Sequence, residues 1–149
     1  MQQEYILEMA FNDLYQEIIL DHAKNPRNKE NLDFISDDEV HENPTCGDSI
    51  KLAVDFFDDG KLKRVRFDGD GCAISTSSAS MMTEIVEGKS KEEVMKIIKD
   101  FILIMRNESE KSLNEWGDMI ALEGVIKYPL RVKCATLPWH ALEDVLCKK

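Results

Sequence analysis

The sequence predicts a single domain, residues 1–149, that combines helices with an antiparallel β-hairpin. Three observations lead to this prediction: a helical stripe near the start, a strand-turn-strand pattern in the middle, and further helical stretches after it. A domain of 149 residues buries roughly 70% of the surface that its unfolded chain exposes. A hydrophobic core can therefore hold the fold without disulfide bonds.

The first predicted helix carries apolar side chains at every third or fourth position. Its end is expected near Asn25, because Pro26 disfavours helical backbone in the residue before it. His22, at the end of the stripe, is expected to close the packed face or to contact a backbone group. The stripe consists of Phe11, Leu14, Tyr15, Ile18 and His22.

The middle of the chain shows the period of two that is typical of strands. Residues 50–56 alternate between two faces, Gly60 lies in a turn, and residues 62–67 return with Val65 and Phe67 on one face. A third strand is predicted around residues 39–43, paired with the first strand of the hairpin. One face of this sheet is expected to be buried.

Helices are predicted again from residue 72 onward. The first covers residues 72–86, and Gly88 lies past its end. Ser90 and Glu93 form a capping box that begins the next helix, which runs to about residue 105.

The last part of the chain gives weaker signals. Residues 107–117 are predicted as a loop or a frayed helix, and residues 119–126 as a short helix. The final helix is predicted to start near Cys134, with Pro138 in its first turn, where the missing N–H is not needed. Trp139 is expected to lie in the core.

The charge of the chain restricts its partners. The formal net charge is −10, from 29 acidic and 19 basic side chains. Nucleic-acid phosphates require a basic face, so no nucleic-acid partner is expected, whereas a basic protein partner is. No apolar run approaches the roughly 18 residues of a membrane span, and the first residues do not resemble a signal peptide. A cytoplasmic location is expected.

The four cysteines do not indicate a disulfide framework in such a chain. Metal ligands, a reactive thiol and small core residues remain as interpretations. Cys147, near the end of the chain, is expected to be a partly packed small residue. His140 is either a residue at the rim of a site near Cys134 or a pH-sensitive neighbour.

The main prediction is that four side chains converge on one metal ion: Cys46, Asp48, Cys72 and Cys134. On extended backbone, residues i and i+2 point to the same side, so Cys46 and Asp48 can face one point. A helix start favours a thiolate, which applies to Cys72 and, in this prediction, to Cys134. Three thiolates and one carboxylate suit tetrahedral zinc, and thiolates also suit iron–sulfur chemistry.

Basic residues precede the third cysteine. Arg131 and Lys133 add positive charge that also favours a thiolate at Cys134. The spacing alone leaves a shared site, independent buried cysteines and a closed structural zinc all open, because the gaps between the ligands run to tens of residues. A carboxylate ligand is displaced more easily than a thiolate, which favours an open position and a free nucleophile.

Three motifs together resemble those of the IscU-like (NifU N-terminal-like) iron–sulfur cluster assembly family. They are Pro-Thr-Cys-Gly-Asp at residues 44–48, Gly-Cys-Ala-Ile-Ser at 71–75 followed by Ser-Met-Met at 80–82, and Lys-Cys-Ala-Thr-Leu at 133–137. The similarity extends to the Pro-Arg-Asn sequence after the first helix and covers nearly the whole chain.

Within that family the chain is similar to the SufU branch. Its segment between the second and third cysteines is long, as expected of an insertion around residues 107–130. The chaperone motif Leu-Pro-Pro-Val-Lys of the scaffold branch is replaced here by Tyr-Pro-Leu-Arg-Val-Lys at residues 128–133. Lys133 stands where the scaffold branch has histidine. Both differences argue against a scaffold served by a specialised chaperone.

The resemblance implies an α+β fold, with a small three-stranded antiparallel sheet packed against four to five helices. It implies zinc held by the four predicted ligands, and a PLP-dependent cysteine desulfurase of the SufS type as partner. Cys46 would be the sulfur acceptor, Arg131 would help docking or loosen the site, and a downstream iron–sulfur assembly complex would receive the sulfur.

Three functional hypotheses follow. The first is a zinc-dependent sulfur carrier that stimulates a desulfurase, a sulfurtransferase-like acceptor rather than a stand-alone enzyme. The second is a scaffold for a transient [2Fe–2S] cluster, with iron in place of zinc. The third is a non-enzymatic binding module with a structural zinc, whose removal would unfold the domain.

Overall fold

A computed structural model of the protein describes residues 2–43 and 47–148, which form four α-helices, three strands and two 3-10 segments. In chain order these are α1 (Gln2–Lys24), a 3-10 turn (Asp37–Glu39), β1 (His41–Asn43), β2 (Asp48–Phe56), β3 (Leu62–Asp68), α2 (Ala73–Val86), α3 (Lys91–Met105), a 3-10 segment (Leu113–Val125) and α4 (Pro129–Cys147). The predicted α+β class and three-stranded sheet are confirmed. Among the described residues, no helix is long and apolar enough to span a membrane.

The sheet has the order β1-β2-β3 with both pairs antiparallel. Its inner face buries Ile50, Leu52 and Val54 of β2, as the alternation predicts. The β2–β3 turn uses Gly60 at a positive φ of 90°, a conformation that side chains disfavour. The predicted hairpin and third strand are therefore confirmed.

Helix α2 lies at the centre of the molecule and packs against both α1 and α4. It buries Met81 and Met82 together with several hydroxyl groups, including those of Ser78 and Ser80. Small hydroxyl side chains let neighbouring helices approach closely while giving their polar atoms partners. Helix α3 has the predicted capping box at its start, and its Phe101 stacks on the buried Trp139 at 4.6 Å between ring centroids.

The last helix begins earlier than the sequence predicts, so the predicted start near Cys134 is wrong. Helix α4 begins at Pro129, so Pro138 lies in its interior and Cys134 in its second turn rather than its first. A proline inside a helix costs about 3 kcal/mol, because it removes one backbone hydrogen bond and crowds the preceding turn. Residues 134–139 are all buried, and their burial offsets that cost.

A buried histidine joins three elements. His22 of α1 contacts Ser80 Oγ of α2 through Nδ1 at 2.8 Å and Asp118 Oδ2 of the 3-10 segment through Nε2 at 2.9 Å. Of the two expectations for His22, the position that closes the packed face agrees with its burial at the end of α1, and its partners here are side chains rather than backbone groups. Glu123 fixes the start of the same segment, because its carboxylate accepts hydrogen bonds from Leu113 N and from a neighbouring serine hydroxyl.

We expect Ser78→Ala to lower the free energy of unfolding by about 1–3 kcal/mol. Ser78 Oγ donates to the Ala135 carbonyl at 2.6 Å and accepts from Trp139 Nε1 at 3.1 Å, so alanine leaves a buried indole N–H without a partner. Denaturant unfolding measures the change. Ser77→Ala is the matched control, because the Ser77 hydroxyl donates only within its own helix, to Ile74. Equal stability of the two variants would contradict the assignment.

Candidate metal centre

The centre is built first on Asp48, the opening residue of β2. Asp48 is only 3% exposed, and its Oδ1 accepts a hydrogen bond from the backbone N–H of Cys72 at 3.0 Å. Its Oδ2 lies 3.9 Å from Cys72 Sγ. The carboxylate therefore joins the start of the sheet to the start of α2.

Cys72 is the N-cap residue of α2, immediately before its first turn. Its sulfur accepts a hydrogen bond from Ser75 N at 3.5 Å, so an unpaired N–H of the helix start is directed at the thiol, as predicted. The loop before it lies closely on β2: Asp70 O accepts from Ser49 N at 2.7 Å. A Cβ at Gly69 would run into the Ser49 carbonyl, so this approach requires glycine.

Cys134 reaches the centre from α4 and is fully buried. Its sulfur contacts the Leu130 carbonyl at 3.8 Å and the side-chain Nδ2 of Asn43 at 3.9 Å. Because Cys134 lies in the second turn, the positive end of the helix dipole is not adjacent to it. The Asn43 amide is a donor that faces its sulfur. Asn43 is itself buried at the end of β1.

Three potential ligands meet in this way. One carboxylate oxygen of Asp48 and the sulfurs of Cys72 and Cys134 all lie within 4.8 Å of one another. Ligands of a tetrahedral zinc ion are separated by about 3.5–3.8 Å, given Zn–S distances near 2.3 Å and Zn–O distances near 2.1 Å. A small contraction of this group therefore accommodates such an ion, and two sulfurs with one carboxylate are a donor set that zinc accepts.

The fourth predicted ligand, Cys46, lies outside the described residues. The residues on either side of it are in place: Gly47 N donates to the Asn43 carbonyl at 2.9 Å, and Asn43 pairs with Asp48 across β1 and β2. Gly47 has a positive φ of 72°, which favours glycine at that position. The segment that contains Cys46 therefore begins and ends at two residues of the centre.

The auxiliary residues lie around the centre rather than in it. Arg131 and Lys133 are exposed on α4, and both precede Cys134 in the sequence. A cavity of about 560 Å³ beside the centre is lined by Asn43, Lys133 and His140, among others. His140 is thus at the rim of a cavity, one of the two positions that the sequence left open.

Two aspects of the site differ from the sequence analysis. Cys147 is exposed, so the prediction of a partly packed residue is wrong; it lies in the last turn of α4, beyond the part that packs. Asn43 was not singled out as a site residue, since its contact with Cys134 spans 91 positions. Its place directly before the first cysteine motif was the available signal.

The fold and these contacts define a small α+β domain with a candidate metal centre of cysteine and carboxylate donors. The family described as the NifU-like N terminal domain matches residues 14–135, and the chain belongs to that family. This confirms the resemblance drawn from the three cysteine motifs.

Two relatives match most of the chain. The zinc-dependent sulfurtransferase SufU of Bacillus subtilis is 44% identical over 147 residues, covering 95% of this chain and 97% of that protein. The iron-sulfur cluster assembly scaffold protein IscU of Streptococcus pyogenes is 42% identical over 135 residues, covering 91% and 84%.

A solved structure shares both fold and sequence. It is a crystal structure from Fervidobacterium islandicum, described as an iron-sulfur cluster assembly scaffold protein for the SUF system. It superposes with a TM-score of 0.72 at 35% identity, covering 87% of this chain and 94% of that one.

The burial of the cysteines predicts the order in which they are alkylated in metal-free protein. We expect N-ethylmaleimide to modify the exposed Cys147 fastest, the half-buried Cys72 more slowly and the buried Cys134 slowest. Mass spectrometry of proteolytic peptides over time measures the three rates. Added zinc should slow modification of Cys72 and leave Cys147 unchanged. A Cys134 rate as high as that of Cys147 would contradict the geometry.

Proposed function

We propose that this protein is a zinc-dependent sulfur carrier in iron–sulfur cluster assembly. The observation that carries the proposal is the convergence of Asp48, Cys72 and Cys134 at one point, in a chain 44% identical to a zinc-dependent sulfurtransferase. Cys46 is the fourth member of the proposed ligand set. The domain acts as a sulfur acceptor and not as a stand-alone enzyme.

Bound zinc supplies positive charge that keeps cysteine ligands deprotonated at neutral pH. Residues of the chain position the proposed ligands. Asp48 holds Cys72 through the backbone hydrogen bond of 3.0 Å, and Asn43 directs its amide N–H to Cys134. These two contacts keep two of the three proposed sulfur ligands in fixed positions.

The proposed sulfur-transfer step takes place on Cys46. Its thiolate attacks the terminal sulfur of a persulfide on a PLP-dependent cysteine desulfurase of the SufS type. A new S–S bond forms on Cys46, the S–S bond of the donor breaks, and the donor cysteine leaves as a thiolate. No external oxidant or reductant is needed. Arg131 and Lys133, exposed near Cys134, are proposed to help the desulfurase dock.

We expect Cys46→Ala to abolish sulfur acceptance while the fold persists. The experiment mixes the protein with a cysteine desulfurase and isotope-labelled cysteine, and mass spectrometry locates the residue that gains one sulfur atom. Cys147→Ala is the matched control, because Cys147 is exposed and lies outside the group of converging ligands. Labelled sulfur on Cys46→Ala at the wild-type level would refute the assignment of the acceptor.

We expect Asn43→Ala to weaken zinc affinity by about 10–100-fold, as loss of a residue that orients a metal ligand does. The variant removes the amide that faces Cys134 but keeps the backbone carbonyl that Gly47 N contacts. Competition with a chromophoric chelator measures affinity, and the sulfur-to-metal band of the cobalt-substituted protein reports on the sulfur itself. Glu42→Ala, exposed on the same strand, is the control. Unchanged affinity and an unchanged band would show that Asn43 has no such role.

A second candidate function is a scaffold on which a [2Fe–2S] cluster assembles before transfer. It is favoured by the similarity to a protein named as an IscU scaffold, at 42% identity, and the three cysteines can ligate iron. Anaerobic purification with metal analysis separates the two functions. Zinc without colour supports the carrier, whereas iron with a visible charge-transfer band that passes to an apo-protein supports the scaffold. Unfolding on zinc removal, without sulfur on any cysteine, would instead indicate a purely structural zinc.

A further inference from the structure

One edge of the sheet is covered over only part of its length. Strand β1 pairs with residues 48–50 of β2 through His41, Glu42 and Asn43. Strand β2 continues to Phe56, but the chain before His41 turns away into the 3-10 turn at Asp37–Glu39. Beyond residue 50, no described strand pairs with this edge of β2.

The hydrogen bonds of the sheet show which backbone groups face this edge. In an antiparallel pair, hydrogen-bonded and non-hydrogen-bonded positions alternate. Phe67 of β3 uses both its N–H and its C=O on the far side, with Asn28 O and Glu30 N, each at 3.0 Å. Its partner in the register is Leu52, so this pair is not hydrogen-bonded, and the N–H and C=O of Leu52 point away from β3.

The same alternation applies to Val54, which lies two residues after Leu52 and opposite Val65. Its N–H and C=O therefore also point away from β3. Ser49 supports the assignment from the other end, because its N–H points to the β3 side, where it bonds Asp70 O at 2.7 Å. Thus residues 48 and 50 face β1, and residues 52 and 54 face the position that β1 has left. Within the described part of the chain, the edge-facing N–H and C=O groups of Leu52 and Val54 have no hydrogen-bond partner.

A groove of about 420 Å³ runs along this edge. Its lining includes residues 52–55 of β2, Phe34, and Val145 of α4. Phe34 is 71% exposed. His41 also lines the groove; its Nε2 bonds Asp144 at 3.0 Å, and its buried Nδ1 has no partner among the described residues. The charged residues Arg66 and Lys148 are balanced by Glu39 and Asp55, in contrast to the net charge of −10 for the chain.

We propose that this groove binds an extended peptide segment of a partner protein, which adds a strand to β2 beside Leu52 and Val54. Main-chain donors and acceptors in a row select an extended backbone. A strand rises about 3.3 Å per residue, so the two positions match a segment of three to five residues. A stable pair of folded copies buries about 800 Å² per partner, far more than a two-position edge can offer. The balanced charge and the apolar lining residues Phe34, Ile35 and Val145 favour β-branched apolar residues in the segment. This inference does not depend on the proposed sulfur chemistry.

The first test is hydrogen exchange of the free protein followed by NMR. The amides of Leu52 and Val54 are expected to exchange much faster than those of Ala53 and Asp55, which bond to β3. Equal protection of the four amides would mean that the protein covers this edge itself, and would overturn the proposal.

The second test uses a capped hexapeptide of alternating valine and threonine as the probe. Binding should shift the amide signals of Leu52 and Val54 and slow their exchange, whereas the same peptide N-methylated at every residue should not bind. We expect Phe34→Ala to weaken binding roughly tenfold, as loss of an aromatic contact at an interface does. Phe57→Ala is the matched control: each phenylalanine is exposed and has a cation near its ring, Arg66 at 5.8 Å for Phe34 and Lys63 at 5.9 Å for Phe57, but only Phe34 lines the groove.

The remaining outcomes of the second test are also decisive. No shift at millimolar peptide, shifts that map elsewhere, equal binding of the methylated peptide, or equal effects of the two phenylalanine variants would each overturn the proposal.

Discussion

The hydrogen bond from the backbone N–H of Cys72 to Asp48 Oδ1 is the contact on which the candidate centre depends. It joins two segments 24 residues apart in the chain, one in the sheet and one at the start of a helix. A carboxylate buried to 3% exposure requires partners, because burial of an unpaired charge is costly. The N–H at the helix start meets this requirement for one oxygen of Asp48, and a bound cation can meet it for the other. The hydrogen bond thus positions Cys72 next to a carboxylate that favours a metal ion.

The hydrophobic core brings the third donor to this contact. Helix α4 is buried continuously from Cys134 to Trp139, and the hydroxyl of Ser78 ties it to α2. Helix α2 in turn carries Cys72 at its cap. The distance between the two sulfurs is therefore set by the packing of two helices. Residues outside the ligand set, such as Ser78, are for this reason expected to influence the geometry of the centre.

The sequence predicts those features that depend on local chemistry. Pro26 ends α1, the period of two in residues 50–56 gives β2, and Ser90 with Glu93 begins α3. Prediction from sequence fails for features that depend on contacts between residues far apart in the chain. The start of α4 was misplaced because burial of residues 134–139 outweighs the cost of Pro138. The sequence does not reveal the contact of Asn43, because its partner Cys134 lies on α4. It does not reveal that of Glu123, because Leu113 lies ten positions earlier in an irregular 3-10 segment. For the candidate site, the sequence named Asp48, Cys72 and Cys134, which the fold brings together, but it could not identify the amide that faces Cys134.

The contacts of the Cys72 and Cys134 sulfurs bear on how the three proposed cysteine ligands differ in role. Cys72 Sγ accepts from a helix N–H, and Cys134 Sγ faces the Asn43 amide. Each of these two sulfurs is held by contacts within the fold, which suits Cys72 and Cys134 to remain ligands. Cys46 is the remaining member of the proposed ligand set. In sequence it falls between Asn43, the last residue of β1, and Asp48, the first of β2, and it remains the proposed sulfur acceptor.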